Sequence, residues 1–407
     1  MKSRLDTSAI VHTALMNDHT INVYRIITNM KDAVDPARLQ KAVDRVAGRY
    51  PMICCRMTHD GKWLYSEPME TIQVKENNYK ILKAVNKDNI WQQASHIMYS
   101  ENQIIFETFH SIADGYGAYT FINGLVREYL ALADSSYDMP YLGLPSESEM
   151  EDGFTKHAVP SPAPEKIVTA KNAFKFEKLD YSLPLRFSTI SIDLKGFKTM
   201  SKAHQCTLNE MILAMVYHSI FKMDNTEGKD IMLAVPINLR NKFETRSMRN
   251  FSILAKTCLR KSPVYDSVEE TVHEIRNQLH RQNNKEFLQK SISQAKYRFD
   301  GPFTSKLPLW FKHKLIKIGD SLGFDKSCMT VSNLGNLSYL LPDIYQDIES
   351  IYPLMSPRKK SRYNCCVSSL GDDLNMTFTH TRENDPFLNG IGEWLTKNHI
   401  SYKILSH

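Results

Sequence analysis

The sequence predicts an α/β fold made of two similarly built lobes, each an α/β sandwich with a mixed sheet. Three observations point there. The chain has 407 residues, more than a single ordinary core accommodates. Strand-like and helix-like patterns intermix along its whole length. A stretch rich in Ser, Pro, Asp and Glu, from Ala133 to about Lys166 and including Pro160-Ser161-Pro162-Ala163-Pro164, reads as a crossover by composition. It sets residues 1–165 as one lobe and 166–407 as the other.

The first strong helix starts after Asp35, an N-cap candidate followed by Pro36 at the first helical position. Leu39, Ala42, Val43, Val46 and Ala47 then share one face, and the helix stops near Gly48. Strands are expected at 53–57, 63–66, 72–75 and 104–110. Tyr119, Phe121, Ile122, Leu125, Val126, Tyr129 and Leu130 fall largely at helical spacing, predicting a helix over 117–132.

Beyond the crossover, the alternation in 187–193 predicts a strand, followed by a helix over 209–222. Strands are expected at 231–237 and 251–258, then a long charged helical region over 268–295. Segments 328–332, 348–354, 364–370 and 374–381 complete the second sheet. The last two turn at Gly371-Asp372-Asp373, a hairpin signal.

Composition excludes several classes. Hydrophobic residues make up 42% and charged residues 24%, the balance of a soluble globular protein. No stretch approaches the roughly 20 apolar residues that span a bilayer, and the amino-terminal residues carry no secretory pattern. The seven cysteines include the adjacent pairs Cys54-Cys55 and Cys365-Cys366, whose side chains alternate in a strand and suit neither a metal nor a disulfide framework. Reduced, buried, structural cysteines in a cytoplasmic protein are expected. The net charge of +6 is too mild for a nucleic-acid partner, but favours a phosphorylated cosubstrate over a cationic one.

The most informative stretch runs from Ile104 to Gly115. A β-branched and aromatic run ends on His110, with Asp114-Gly115 following. Histidine titrates near neutrality and can accept a proton from a weak nucleophile. A strand end with a carboxylate in the next turn is a rigid mount for such a base, and glycine suits a positive φ in that turn. With 14 histidines in the chain, about 0.06 chance occurrences of His-x-x-x-Asp-Gly are expected. The plain alternative is a satisfied core histidine beside an ordinary turn.

Strand, His-x-x-x-Asp-Gly and amphipathic helix together resemble the chloramphenicol acetyltransferase-like superfamily, which includes alcohol acetyltransferases, wax ester synthases and condensation domains. Three later segments match in order. They are Asn209-Glu210 opening an aliphatic helix, Pro236-x-x-x-Arg240 after a strand, and Ser332-Asn333-Leu334-Gly335. Many members carry two adjacent histidines, whereas Phe109 stands at the first position here.

The resemblance implies two lobes with a tunnel between them, acyl-CoA as cosubstrate with no bound cofactor or metal, and a small alcohol or amine as acceptor. O-acyl transfer is expected over N-acyl transfer, in a monomer. His110 would be the general base, acting without a covalent acyl-enzyme. Asp114 would pair with an arginine, Arg240 first and Arg56 as a rival, beside Gly115. Ser332 and Asn333 would meet the pantetheine arm or oxyanion. Asn333 is otherwise a turn residue, and Asn209 otherwise an N-cap. A condensation-like enzyme using a carrier-bound donor, or a non-catalytic binding protein, are the alternatives. His380 reads as structural or exposed. The segment 310–318, apolar on one side and basic on the other, reads as a helix covering the core or tunnel, or as one lying on a membrane surface.

Overall fold

The computed structural model describes residues 2–17, 22–77, 89–137, 143–177, 186–322, 325–339, 341, 344–356, 363–380 and 385–406. Five residues of the expected crossover (138–142) and the end of the 374–381 strand lie outside them. The first part of the chain forms β1 (Ser3–Arg4), α1 (Thr7–Leu15), β2 (Val23–Met30), α2 (Pro36–Val46), β3 (Cys55–His59) and β4 (Leu64–Pro68). β5 (Lys75–Glu76), β6 (Ser95–Ser100), β7 (Gln103–Phe109) and α3 (Gly115–Ala131) follow. Asp35 caps α2 through Ala37 and Arg38, with Pro36 inside the first turn as expected. The strand expected at 72–75 shrinks to the two residues of β5.

The crossover contains two short helices, α4 (Glu147–Met150) and α5 (Gly153–His157). Phe154 packs there in a small core with Leu239, Phe251, Leu288 and Ile292, so this stretch is folded onto the second half rather than strung between lobes. Next come β8 (Arg186–Asp193), α6 (Leu194–Ala203), α7 (Leu208–Phe221), β9 (Asp230–Asn238) and β10 (Ser252–Arg260). The helical region expected over 268–295 is two helices, α8 (Val268–Gln282) and α9 (Lys285–Asp300). The Asn284 side chain accepts from the Phe287 N–H and restarts the helix as its N-cap. Then follow α10 (Leu309–Ser321), β11 (Met329–Asn336), β12 (Ile348–Met355), β13 (Tyr363–Leu370), β14 (Asp373–His380), α11 (Pro386–Lys397) and β15 (Tyr402–Ser406).

Two large mixed sheets result. One runs β12-β2-β7-β6-β5 and the other β10-β9-β11-β13-β14-β8-β15, with a small β1-β4-β3 sheet beside them. The segment 348–354, expected in the second sheet, instead pairs antiparallel with β2 over Ile348↔Met30 to Met355↔Tyr24. A strand's alternation shows which face it buries but not which neighbour it finds. The return is extensive: Met248, Phe299, Leu309, Leu337, Ile348 and Ile351 all join the core of the first sheet and its helices. The second core gathers around α7, with Met211 to Val216 buried under β9, β11 and β13. On its other face, the first sheet packs Ile27, Ile105 and Tyr352 against Phe187 of β8, joining the two halves.

Candidate active site

β7 ends at Phe109, and the chain carries its ladder one residue further: the His110 N–H donates to the Asn22 carbonyl at 2.8 Å. This fixes the histidine backbone at the end of the strand. Its ring is half-buried and lies between neighbours from both halves of the chain. His12 of α1 stacks on it, with ring centroids 4.7 Å apart and planes 12° apart. Tyr24 of β2 meets it edge-on at 5.0 Å, and the Tyr24 hydroxyl donates toward the carbonyls of Ala113 and Asp114. Burial, with the Asp114 charge adding to it, pushes the Tyr24 phenol well above its usual range, so it remains a donor.

Asn250 approaches from the second half. Its Nδ2 donates to the His110 carbonyl at 2.9 Å, and its Oδ1 lies 3.2 Å from His110 Nδ1. An amide oxygen only accepts, so Nδ1 carries the proton of the neutral ring and Nε2 carries the lone pair. The arrangement therefore offers a histidine of fixed tautomer, oriented from both halves. Neither Asn250 nor His12 belongs to a local motif, and sequence reasoning missed both.

Asp114 and Arg240 form a buried forked ion pair, with Nη1 to Oδ2 at 2.8 Å and Nη2 to Oδ1 at 3.2 Å. The carboxylate also accepts from the backbone N–H groups of Gly117 and Phe251, and so caps α3. Arg240 follows β9, spends its other donors on the carbonyls of Ser247 and Arg249, and lies over the Tyr116 ring. The pair thus ties the residues after His110 to the loop that delivers Asn250. Arg56, the rival arginine, is exposed and pairs with Glu67.

Gly115 does not have the positive φ expected of it; that conformation occurs instead at Gly61, Gly228, Gly335 and Gly371 among the glycines. A side chain at Gly115 would meet Leu334 at 2.4 Å, so the requirement there is close approach. This contact also brings the Ser332–Gly335 segment of β11 beside the start of α3. Ser332 pairs in register with Cys366, and the ladder is irregular between Asn333 and Asn336. Asn333 Oδ1 accepts from the Gly335 N–H at 2.9 Å, which is the turn reading; only its Nδ2 remains to donate. At Gly117 an added Cβ would sit 2.0 Å from the Met248 carbonyl oxygen, a backbone clash.

Other candidates fall elsewhere. Thr207, not Asn209, caps α7, in a capping box with Glu210; Glu210 also pairs with Arg276. His380 is buried at the end of β14, with Nε2 2.8 Å from Ser188 Oγ. The seven cysteines are thiols rather than disulfides; Cys206 and Cys258 are half-buried, the other five buried. Burial pushes the Cys54 and Cys366 thiols up to about 12, which keeps them unreactive. Among the described residues no helix is long and apolar enough to cross a membrane.

No family model matches this chain, and no curated protein matches its sequence. Solved structures do match it in fold. TRI101 of F. sporotrichioides, complexed with coenzyme A and T-2, is 10% identical with a TM-score of 0.65, over 99% of each chain. The trichothecene 15-O-acetyltransferase TRI3 from Fusarium sporotrichioides is 11% identical with a TM-score of 0.62, over 98% of this chain and 95% of that one. The condensation domain of the Monacolin K polyketide synthase MokA is 12% identical with a TM-score of 0.56, over 98% and 96%. The chain thus shares the two-lobed mixed α/β fold of these acetyltransferases and condensation domains.

Proposed function

We propose that this protein is an acyltransferase that moves an acyl group from acyl-CoA to the hydroxyl of a small acceptor, with His110 as general base. The observation that supports this reading is the Asn250–His110 pairing, which leaves Nε2 with the lone pair a base needs, in a fold whose neighbours include CoA-complexed TRI101. His110 Nε2 takes the acceptor proton as the acceptor oxygen attacks the thioester carbonyl. The tetrahedral oxyanion then collapses, the C–S bond breaks, and the departing thiolate receives that proton from the imidazolium. No acyl-enzyme forms, because the thioester is already activated. A hydroxyl needs a base in order to attack, whereas a neutral amine does not, which favours O-acyl over N-acyl transfer. Asp114 and Arg240 keep the loop in place and stay out of the chemistry. Asn333 Nδ2 and Ser332 are assigned to the pantetheine arm or oxyanion beside the α3 start.

The test is direct. The purified chain is incubated with acetyl-CoA and short-chain acyl-CoAs and pools of alcohols, amines and sterols, following thiol release and acylated products by mass. An acylated alcohol with one free CoA thiol per product supports the reading. Products from a carrier-bound acyl donor with none from acyl-CoA would replace the donor, and no acylated product from either would overturn the function.

A further inference from the structure

The amphipathic segment singled out in the sequence forms α10 and leaves several of its apolar side chains exposed. At about 3.6 residues per turn, Leu309, Lys312 and Ile316 face the molecule, where Leu309 and Ile316 meet the first core. His313 on the same side bonds Thr13 of α1 at 3.1 Å. The rest of the helix surface carries Trp310, Leu315, Ile318 and, just past the helix end, Leu322, exposed by 65%, 45%, 50% and 66%. Phe303, just upstream, is 85% exposed. These five are among 13 exposed large hydrophobic residues in the described chain, so more than a third of them fall within residues 303–322. Scattered apolar side chains need no explanation, but a cluster does. Lys314 and Lys317 are exposed on this helix; Asp320, one turn beyond Lys317, is exposed as well, so lysines outnumber acids on α10 by two to one among these exposed charges.

We propose that α10 docks this protein onto an anionic lipid surface, with Trp310, Ile318 and Leu322 inserted at the headgroup level and Lys314 and Lys317 on lipid phosphates and carboxylates. An exposed helix surface with tryptophan beside lysine suits a bilayer interface, where the ring sits at the headgroups and the lysine stems reach to charge. The chain's net charge of +6 acts in the same direction. Because α10 packs on α1, and His12 of α1 stacks on His110, the bilayer would lie on the α1 side of the site. The docking is independent of the proposed reaction.

The experiment is co-sedimentation of the full chain with vesicles of phosphatidylcholine alone and of phosphatidylcholine with phosphatidylserine. Wild type is expected to sediment with the anionic vesicles and to be released by salt. Ile318→Glu and, separately, the pair Lys314→Glu with Lys317→Glu are expected to lower partitioning by about tenfold or more, with unchanged circular dichroism and melting. Val264→Glu, at an exposed apolar position elsewhere, is expected to leave it unchanged. Failure of wild type to bind either vesicle overturns the proposal, as does binding that the α10 variants do not weaken. It is equally overturned if those variants instead dissociate a dimer of this chain, or abolish binding of an acidic carrier protein, while wild type ignores vesicles.

Discussion

Asn250 holds His110 at two points, donating from Nδ2 to its carbonyl at 2.9 Å and presenting Oδ1 to Nδ1 at 3.2 Å. Because the amide nitrogen is committed to a carbonyl, the amide cannot turn over and still satisfy both partners. The imidazole inherits its tautomer from that commitment. A residue 140 positions away therefore decides which ring nitrogen is left with the lone pair. The ion pair between Asp114 and Arg240 keeps Asn250 in reach, since Arg240 bonds the carbonyl of Arg249 and Asp114 the N–H of Phe251.

Asn250→Ala removes that control without touching His110, the proposed base. We expect kcat to fall about a hundredfold with KM little changed, the scale of a small misplacement at a reacting centre. Nitrogen NMR of the histidine ring should show a mixture of tautomers in place of one. Wild-type kcat in the variant would mean that Asn250 is a packing residue only.

His110→Ala is expected to lower turnover by about 10²–10⁴, the range of a positioned general base. Its backbone N–H, which holds the strand end through Asn22, survives the change, so the melting temperature should remain near wild type. Both quantities are read on one preparation, by thiol release and calorimetry. A variant keeping most of its turnover would remove His110 from the chemistry.

Asp114→Asn leaves Arg240 buried without its counter-charge, and buried pairs broken on one side cost about 3–5 kcal/mol. The carboxylate's bonds to Gly117 and Phe251 weaken at the same time. Urea denaturation should show the loss, and activity should fall with it as the Asn250 loop relaxes. Arg240→Lys keeps the charge but not the fork and should lose less stability. If Asp114→Asn unfolds at the wild-type urea concentration, the pair is not what holds the two halves at the site.

The local part of this site was legible in the sequence because its cause is local. A strand that must end, a residue that caps α3 and a glycine where Leu334 comes close all leave their mark within a dozen residues. Arg240 was found only through resemblance, since nothing in Arg240-Asn241-Lys242 says which carboxylate it meets. Asn250 and His12 left no signal, because their roles exist only once β10 and α1 have docked. The same limit explains β12. Its alternation shows that it is a strand, but the choice of β2 over β13 as its ladder partner is made by long-range packing. The division between α8 and α9 was present in Asn283-Asn284, a capping signal inside a region whose charge pattern reads as continuous helix.

Asp6 gives the last prediction. It is 2% exposed, and its Oδ1 accepts from the N–H groups of Ser8 and Ala9 to cap α1. Its Oδ2 is buried with no hydrogen-bond partner among the described residues. Burial first, and then the Asp152 charge, raise the carboxyl to about 7, against the lowering effect of the Ser8 hydroxyl and Arg249. An unfolded aspartate titrates near 4. Between these values the folded chain holds a proton that the unfolded chain has lost, so stability falls as pH rises. The contribution is whole below about pH 4 and gone once the pH passes through 7. Asn is close in shape to the protonated acid and keeps the capping oxygen. Asp6→Asn should therefore stabilise the protein more at pH 8 than at pH 5, by a difference on the order of 2 kcal/mol, and flatten the decline of melting temperature between them. Urea denaturation at both pH values checks this. Equal effects at the two, or destabilisation at pH 8, would show that Asp6 is already ionised near neutrality and that Arg249 outweighs its burial.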